Sequence, residues 1–405
     1  MKECKYAWSH FDFKPGGYAP CFRFKLYKNH KFGQVPDLPS KMVNSPEWQR
    51  VREQLRNDEW PDECIDCKMQ EESGVKSYRQ RFNDTPEEFL PTPDYSTNKI
   101  VVTDLQIKMS RACNYYCRHC GTSSNSRFIK VGKENPDIGQ RLFDKHKFNH
   151  VGSPKIKSDF LNEIDIPTPE VIEDVFENIL PTVERLDFSG GEAFMHADMY
   201  RFLVRMIESN TIDTSKVILS YNTNMSMTRF KQWDIVDLWE HFKRADITVS
   251  MDGTGDVFNY FRHGGDYDTV IANIHDLLQR TTKVDDILLV CTTTAYHAFY
   301  INEIERDLQA LKAELVEKYG ITVRMKTTFV HWPEGLDLCN LAEDTKLKLI
   351  EEANDTEFLK EYKLRLKAKR TIPEETFKEI AMLQDQLYNR DASELAPRIF
   401  DYVYG

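Results

Sequence analysis

The sequence lacks any run of 18 or more apolar residues, so it offers no candidate for a membrane-spanning helix. Its first residues, MKECKYAWSHFDF, also lack the apolar core of a signal peptide. Basic residues are outnumbered, with 54 Lys and Arg against 65 Asp and Glu and a formal net charge of −11. Because phosphate affinity requires clustered Lys and Arg, this balance disfavours a nucleic-acid partner. We expect a cytoplasmic protein with no membrane partner.

The composition is that of an ordinary globular protein, with 40% hydrophobic and 29% charged residues among 405. The nine cysteines are an odd number, and seven of them fall in two clusters, while Cys291 and Cys339 stand alone. In a reducing compartment, such clusters are more often ligands or redox groups than disulfides. A free buried cysteine behaves as a small apolar residue. We interpret Cys291 and Cys339 in this way, with a catalytic thiol as the alternative.

The first cluster is Cys113-Asn-Tyr-Tyr-Cys117-Arg-His-Cys120, hereafter the three-cysteine loop. An iron–sulfur cube uses four thiolates, one per iron. Three thiolates leave one iron with an open position, which can bind a small molecule as a catalytic zinc does. A zinc loop is the alternative interpretation, since cysteine triplets also bind zinc.

The second cluster lies in the first 95 residues and supplies four thiols, which is enough for a closed metal site. We call it the four-cysteine site; its members are Cys4, Cys21, Cys64 and Cys67. A helix is predicted from Ser45 to Trp60, with Ser45 as N-cap and Pro46 in the first position. It would deliver Cys64 and Cys67 to the site. An iron–sulfur cluster and a zinc knuckle both suit these ligands.

From about residue 96, strand-like runs alternate with amphipathic helix-like stretches. The predicted strands are 104 to 110, 185 to 189, 217 to 222, 246 to 251, 286 to 293 and 321 to 330. One of the helices begins with Thr168 as N-cap and Pro169 in the first position. This alternation predicts a parallel sheet built from right-handed βαβ units, with a site at the carboxyl ends of the strands.

Chemically suitable residues follow several of these strands. After the second comes Gly190-Gly191-Glu192, in which glycines admit a close ligand and Glu192 can accept from an ammonium group. Polar residues also end the third and fourth strands, and an arginine follows: Asn222, Asn224, Ser250, Asp252 and Arg262. Ordinary turn and cap chemistry is the alternative role for the first four of these.

Taken in order, the three-cysteine loop, the GGE tripeptide and the Asp252 to Arg262 segment resemble the motifs of the radical SAM superfamily. The resemblance covers about residues 90 to 340 and implies a partial (β/α)6 TIM-like barrel. It implies a [4Fe–4S] cluster on Cys113, Cys117 and Cys120, with S-adenosylmethionine (SAM) on the open iron. In such enzymes SAM is cleaved reductively, and a 5′-deoxyadenosyl radical then abstracts hydrogen from the substrate.

The resemblance also implies the residues that contact SAM. The GGE segment would contact the methionine amino group, Arg262 the methionine carboxylate, and the two asparagines the ribose or methionine. The residue before the third cysteine packs against adenine and is usually aromatic; here it is His119, which can still stack. The adenine motif of some relatives is missing at the fifth strand, where VCTTTAYH stands. The implied set is His119, Gly190, Gly191, Glu192, Asn222, Asn224, Ser250, Asp252 and Arg262.

Residues 1 to 95 resemble the twitch domain, a shortened SPASM domain that carries an auxiliary iron–sulfur cluster, here expected to be [4Fe–4S]. The departure is its position, since the module usually follows the radical SAM core. We therefore expect this module at 1–95, the core at 96–340 and a helical extension at 341–405. A polar insertion, roughly 122 to 166, has no clear periodicity and is interpreted as a partly ordered flap or a solvated loop.

Enzymes with such a module commonly modify a peptide or protein side chain, and we expect such a substrate together with an electron donor such as flavodoxin or ferredoxin. A small molecule, such as an alcohol or a sugar, is the alternative substrate. A zinc-binding structural protein without catalytic activity is the alternative function.

Overall fold

The computed structural model describes residues 2–14, 17–25, 37–72, 74, 76–87, 90–121, 124–146, 168–330 and 333–405. Within these residues, a mostly parallel sheet of eight strands runs through the centre of the molecule. The strands, in chain order, are β1 His10–Lys14, β2 Gly17–Ala19, β3 Asp104–Lys108, β4 Tyr116–Cys117, β5 Arg185–Ser189, β6 Ile218–Thr223, β7 Arg229–Phe230, β8 Trp233–Asp234, β9 Arg244–Ser250, β10 Arg262–His263, β11 Asp286–Thr293 and β12 Thr322–Phe329.

The helices that surround the sheet are short in the first hundred residues and longer afterwards. They are α1 Lys5–Ser9, α2 Pro39–Val43, α3 Pro46–Arg56, α4 Ile65–Glu72, α5 Tyr78–Asn83, α6 Arg127–Glu134, α7 Pro136–His146, α8 Pro169–Asp174, α9 Ala197–Glu208, α10 Ile235–Trp239, α11 Gly255–Phe261, α12 Tyr267–Arg280, α13 Ile301–Tyr319, α14 Glu343–Glu352, α15 Glu357–Leu366, α16 Glu375–Tyr388, α17 Ala392–Leu395 and α18 Pro397–Tyr404.

The predicted parallel sheet is confirmed. The main sheet runs β12-β11-β9-β6-β5-β3-β1-β2, and the six predicted strands are mutually parallel neighbours. Crossover helices return the chain to the start of each following strand, as a βαβ topology requires. The fold is therefore the mixed α/β architecture expected of a partial TIM-like barrel, with helices at its C-terminus.

The two faces of the sheet differ in chemistry. On the outer face Phe188 packs edge-on against Phe202 of α9, and the ring nitrogen of Trp239 donates to the hydroxyl of Tyr221 at 3.2 Å. On the inner face Ser220 donates to Asp187 at 2.8 Å and accepts from Arg185 at 3.1 Å. The alternation of side chains along a strand produces this division. The apolar core lies under the helices, and the interior of the partial barrel is polar.

The N-terminal region shares this sheet. Strand β1 lies parallel to β3, with His10 opposite Asp104, and β2 lies antiparallel to β1. The predicted strands do not include β1, although Phe11 and Phe13 are buried and alternate with polar residues. The helix predicted from Ser45 is present as α3, and the Ser45 hydroxyl accepts from the backbone of Trp48. It ends at Arg56, before the predicted Trp60.

The insertion is not the loop without periodicity that the sequence indicates. Its first part forms α6 and α7, in which Phe128 and Leu142 are completely buried. Helix α7 packs against the C-terminal helix α16. Apolar side chains at helical spacing therefore dock this segment onto the protein. The remainder of the predicted flap, 147–166, lies outside the described residues, as do 122 and 123.

The predicted C-terminal helices are present. The longest of them, α16, buries Phe377, Ile380 and Leu383 and is far less solvated than its charged sequence indicates. In the described part of the chain, no helix is long and apolar enough to cross a membrane.

We predict that Leu219→Ala lowers the free energy of unfolding by about 2–5 kcal/mol, because Leu219 in β6 is completely buried and its removal leaves a cavity. The matched control is Leu347→Ala, at a leucine that is 60% exposed, with an expected change within about 0.5 kcal/mol. Urea unfolding of the metal-free protein measures both values. Equal losses in the two variants would contradict this assignment of the core.

Candidate active site

The three-cysteine loop leaves the sheet at the carboxyl end of β3. Within it, Cys117 lies in β4, which pairs antiparallel with β10 so that Cys117 stands opposite Arg262. The backbone nitrogen of Cys120 donates to the carbonyl of Cys117 at 3.0 Å, which forms a tight turn. The loop and Arg262, distant in sequence, are thereby joined.

The Gly190-Gly191-Glu192 segment is hydrogen-bonded to the same loop. The backbone nitrogen of Glu192 donates to the carbonyl of Ala112 at 2.9 Å. Gly191 has a φ of 56°, and a Cβ there would lie 2.1 Å from that carbonyl oxygen. Only glycine fits this close approach of two backbones.

Glu192 is 1% exposed, and its carboxylate holds neighbouring segments together through hydrogen bonds. It accepts from the hydroxyl of Thr223 at 2.6 Å, the backbone of Asn224 at 2.6 Å and the backbone of Phe194 at 3.1 Å. Burial raises the pKa of Glu192 above its ordinary value. An ionised carboxylate accepts about four hydrogen bonds, so these three leave about one acceptor position for a ligand ammonium group.

Asn224 connects Glu192 to the three-cysteine loop. Its side-chain nitrogen donates to the side-chain oxygen of Asn114 at 2.9 Å and lies 3.8 Å from the sulfur of Cys113. The other predicted asparagine, Asn222, is exposed at the end of β6. Glu192, Asn224 and Cys113 therefore form one connected unit beside the three-cysteine loop.

A second polar unit joins His119, Asp252 and Arg262. Asp252 is completely buried; it accepts from Arg262 at 2.6 Å and from the backbone of Thr292 at 2.7 Å, and it lies 3.6 Å from His119. Burial alone would raise the pKa of Asp252, but Arg262 and His119 outweigh it and lower that pKa. Burial also lowers the pKa of His119. The predicted Ser250 lies half-buried at the end of β9.

Arg262 thus has a protein carboxylate as partner, in addition to the ligand carboxylate that its sequence motif implies. Its Nη1 is occupied by Asp252, whereas its buried Nε has no hydrogen-bond partner among the described residues. A buried donor without a partner costs about 1–3 kcal/mol. The guanidinium is therefore held in place by Asp252 with a donor left over for a further group.

Of the three cysteines of the loop, Cys117 is buried and Cys113 and Cys120 are partly buried. Burial raises the pKa of Cys120 to about 12 and also raises the pKa values of Cys113 and Cys117, and the three influence one another electrostatically. Metal ligation requires thiolates, so binding of a cation would release these protons. The donor set consists of soft sulfur ligands, which select iron–sulfur clusters, zinc or copper(I).

The four cysteines of the four-cysteine site also lie close together in the fold. Cys4, Cys21, Cys64 and Cys67 line one pocket together with apolar side chains such as Phe24. Burial raises the pKa of Cys4 to about 11 and raises those of Cys64 and Cys67. Because Cys4 precedes β1, this site lies near the end of the sheet opposite the three-cysteine loop.

The two remaining cysteines are buried, as predicted, with 0% of Cys291 and 2% of Cys339 exposed. The Cys291 sulfur lies with Asp252 and His297 in a group whose ligand atoms are within 4.8 Å of one another. The backbone nitrogen of Thr294 donates to Nδ1 of His297 at 3.0 Å, which assigns the ring proton to Nε2. A protonated nitrogen cannot ligate a cation, so we interpret this group as packing around Asp252 and not as a metal site.

Sequence reasoning missed the residues that hold the motifs together. Thr223 and Asn114 are ordinary polar residues in sequence, and nothing marks them as partners of Glu192 and Asn224. Arg118 lies between two predicted cysteine ligands but pairs with Asp385 at 2.7 Å, 267 residues away. A separation of that size has no periodic signal.

We predict that Gly191→Ala lowers the free energy of unfolding by several kcal/mol, because the new Cβ would collide with the Ala112 carbonyl. The matched control is Gly320→Ala, which has a similar φ of 68° and open space around its Cβ position. Its cost is expected to be about 1–2 kcal/mol from the left-handed backbone alone. Denaturant unfolding of both variants tests the close approach, and equal losses would contradict it.

Comparison with known proteins agrees with this arrangement. The family model described as Radical SAM superfamily matches residues 107–311, about half of the chain. Among solved structures, the chain is similar to Streptococcus suis SuiB bound to S-adenosylmethionine, with 14% identity over 67% of this chain and 56% of SuiB and a TM-score of 0.28. A likeness that weak carries no functional argument, and the chain spans little more than half of SuiB. No curated protein matches the sequence. On the family match, the chain belongs to the radical SAM superfamily.

Proposed function

We propose that this protein is a SAM-dependent radical enzyme whose catalytic [4Fe–4S] cluster is held by Cys113, Cys117 and Cys120. The observation that carries the proposal is that the three-cysteine loop is joined to the Gly191-Glu192 backbone and to Arg262. Three thiols, a glycine-lined backbone and an arginine donor thus converge at the carboxyl ends of parallel strands, where barrels of this kind place their sites.

The residues present suit the cluster and SAM. The loop offers three soft thiols, with Cys117 buried and Cys113 and Cys120 partly buried, which leaves one iron of a cube for a ligand from solution. The unpartnered Nε of Arg262 suits a carboxylate such as that of the SAM methionine. When bound, the cluster and SAM supply one-electron reductive cleavage and a 5′-deoxyadenosyl radical that abstracts hydrogen from the substrate. An electron donor such as flavodoxin or ferredoxin completes the system.

Each named residue then has a physical task. Glu192 positions Asn224 beside Cys113, and Asp252 orients Arg262. His119, Gly190, Asn222 and Ser250 are further proposed contacts for SAM. Because Glu192 and Asp252 are buried, water is excluded from the groups that fix the geometry. Preorganisation of this kind reduces the entropic cost of binding.

The four-cysteine site is proposed to hold an auxiliary iron–sulfur cluster, with residues 1–95 as a twitch-like module, 96–340 as the core and 341–405 as the helical extension. The four thiols line one pocket, so every iron of a cube would have a protein ligand. A closed ligand set favours electron transfer over substrate ligation. A structural zinc site in the same pocket is the alternative.

The proposed substrate is a peptide or protein side chain, by analogy with radical SAM enzymes that carry an auxiliary cluster. The inner face of the barrel is polar, and hydrogen bonds through Ser220 link Arg185 and Asp187 there. A polar interior suits a peptide and a small alcohol or sugar alike. Recovery of a peptide bound to the purified protein would support the first class over the second.

We predict that the reduced wild-type protein forms 5′-deoxyadenosine from SAM and that Cys117→Ala abolishes this activity, because one iron loses its thiolate. Cys291→Ala is the matched control, since Cys291 is also a buried cysteine but lies outside the loop. Anaerobic incubation with dithionite, followed by chromatography of the products, measures the rate. Full activity in Cys117→Ala would contradict the assignment.

For the auxiliary site, we predict that the double variant Cys64→Ala, Cys67→Ala loses about half of the iron bound to the wild-type protein. With two of its four ligands removed, the auxiliary cube is lost, and the cube in the three-cysteine loop remains. Elemental analysis of anaerobically purified protein measures iron and zinc together. Loss of one zinc per chain with unchanged iron would instead identify the zinc alternative.

A further inference from the structure

Helix α16, in the C-terminal part of the chain, packs against the three-cysteine loop. Two consecutive residues of this helix, Gln384 and Asp385, are 0% and 6% exposed. Both contact Arg118, which lies between the second and third cysteines of the loop and is 1% exposed. The helix lies beyond residues 107–311, which the family model matches. The proposed function assigns no role to it.

Gln384 fixes the orientation of one peptide group in the loop. Its side-chain nitrogen donates to the carbonyl of Arg118 at 2.8 Å, and its side-chain oxygen accepts from the hydroxyl of Tyr296 at 2.7 Å. Because a carbonyl can only accept, the amide nitrogen must face Arg118. The backbone nitrogen of Arg118 donates to the carbonyl of Phe261 at 2.9 Å. The main chain of Arg118 is therefore held on both sides by residues distant in sequence.

Asp385 holds the side chain of the same arginine. Its carboxylate accepts from Nη2 of Arg118 at 2.7 Å and from the hydroxyls of Tyr260 and Tyr404 at 2.9 Å each. The guanidinium also donates through Nε to the carbonyl of Tyr260 at 2.9 Å and lies 3.7 Å from the centroid of that ring. Arg118 is thus anchored through both its main chain and its side chain.

A buried ion pair such as that of Arg118 and Asp385 defines geometry more than it adds stability. The cost of taking two charges out of water offsets much of their attraction, so apolar residues of similar volume are often equally stabilising. Apolar residues cannot, however, fix the direction of a guanidinium or of a peptide group beside it. The ion pair and the Gln384 amide therefore indicate that this part of the loop requires a defined shape.

That shape is connected to the site through His119, the next residue of the loop. His119 shares the peptide group that Gln384 holds, and its ring lies 3.6 Å from the carboxylate of Asp252. The peptide group is planar, so a rotation that moves the Arg118 carbonyl also moves the His119 nitrogen. Cys120 follows directly. Freedom at Arg118 would therefore displace a proposed SAM contact and a proposed cluster ligand.

We infer that Gln384 and Asp385 are positioning residues of the active site, which act through Arg118 to hold the chain between Cys117 and Cys120 in the shape that binds the cluster and SAM. This inference rests on the proposed function and gives α16 a role in it. A loop that is already ordered pays less conformational entropy when SAM binds. A loop with freedom at Arg118 would have to be ordered at that step and would bind SAM more weakly.

We predict that Gln384→Met weakens the binding of SAM to the holoenzyme by about tenfold, the order of effect of one lost hydrogen bond, and leaves the iron content unchanged. Methionine is similar in length to glutamine but has no donor for the Arg118 carbonyl. Equilibrium dialysis of the oxidised holoenzyme against SAM measures the dissociation constant without turnover, because cleavage of SAM requires the reduced cluster. Elemental analysis measures the iron.

Ile380→Ala is the matched control in the same helix. Ile380 is completely buried, and its Cδ1 packs against Gly335. The variant leaves a cavity, so it is expected to unfold at a lower urea concentration than the wild type. It is nevertheless expected to bind SAM with wild-type affinity. The control thus shows what a loss of stability in α16 does by itself.

A second comparison tests whether Asp385 acts through Arg118, and it also decides the question if Gln384→Met does not fold. Asp385→Asn leaves the Arg118 guanidinium buried without its counter-ion, and we expect SAM to bind at least as weakly as in Gln384→Met. In a chain that already carries Arg118→Met, the same substitution is expected to have little further effect, because residues that share one partner are not additive. Additive losses would overturn the inference for Asp385.

Wild-type affinity for SAM in Gln384→Met, or equal losses of affinity in Gln384→Met and Ile380→Ala, would overturn the inference and leave the proposed function intact. A wild-type protein that contains no iron, or that does not bind SAM, would overturn both. Weaker binding of SAM in Gln384→Met, with wild-type affinity in Ile380→Ala, supports the positioning role.

Discussion

The three-cysteine loop depends on backbone hydrogen bonds supplied by distant parts of the chain. The carbonyl of Ala112 accepts from Glu192, the nitrogen of Arg118 donates to Phe261 and the carbonyl of Arg118 accepts from Gln384. Buried backbone groups must find partners, and a tight loop can satisfy few of them internally. The loop therefore takes its shape from the ends of neighbouring strands and from the C-terminal helix. A structural change in any of these elements would therefore alter the positions of the cysteines.

This dependence links the fold to its chemistry. Parallel strands bring their carboxyl ends to one edge, where the GGE segment, Asn224 and Arg262 meet the loop. Strands β1 and β2 extend the sheet sideways, next to β3. The segment that carries the four-cysteine site and the barrel therefore share one set of hydrogen-bonded strands. Displacement of one site relative to the other would break strand pairing. The proposed separation of an N-terminal module from a core is therefore a division of roles within one sheet.

The sequence predicted what depends on local patterns. The six core strands follow from runs of apolar residues, and the placing of Cys113 and Gly191 near each other follows from the rule that strand ends share one edge. The hydrogen-bonded pairs that hold the site together could not be predicted from the sequence. Arg118 and Asp385, and likewise Thr223 and Glu192, are far apart in the chain and meet only in the folded structure. Arg262 and Asp252 were both named, but their mutual ion pair was not. Strand β1 was missed despite the alternation of Phe11 and Phe13, which is a usable signal.

The proposed chemistry requires that the three-cysteine loop hold a cluster with one iron open to SAM. The most direct test compares wild-type protein with the triple variant Cys113→Ala, Cys117→Ala, Cys120→Ala, both purified anaerobically. We expect about eight irons per wild-type chain, from two four-iron cubes, and about four in the variant, which keeps only the auxiliary cube. We also expect a resonance signal of the reduced wild type that shifts when SAM is added. Zinc without iron in both proteins, or a signal indifferent to SAM, would show that the loop holds no such cluster.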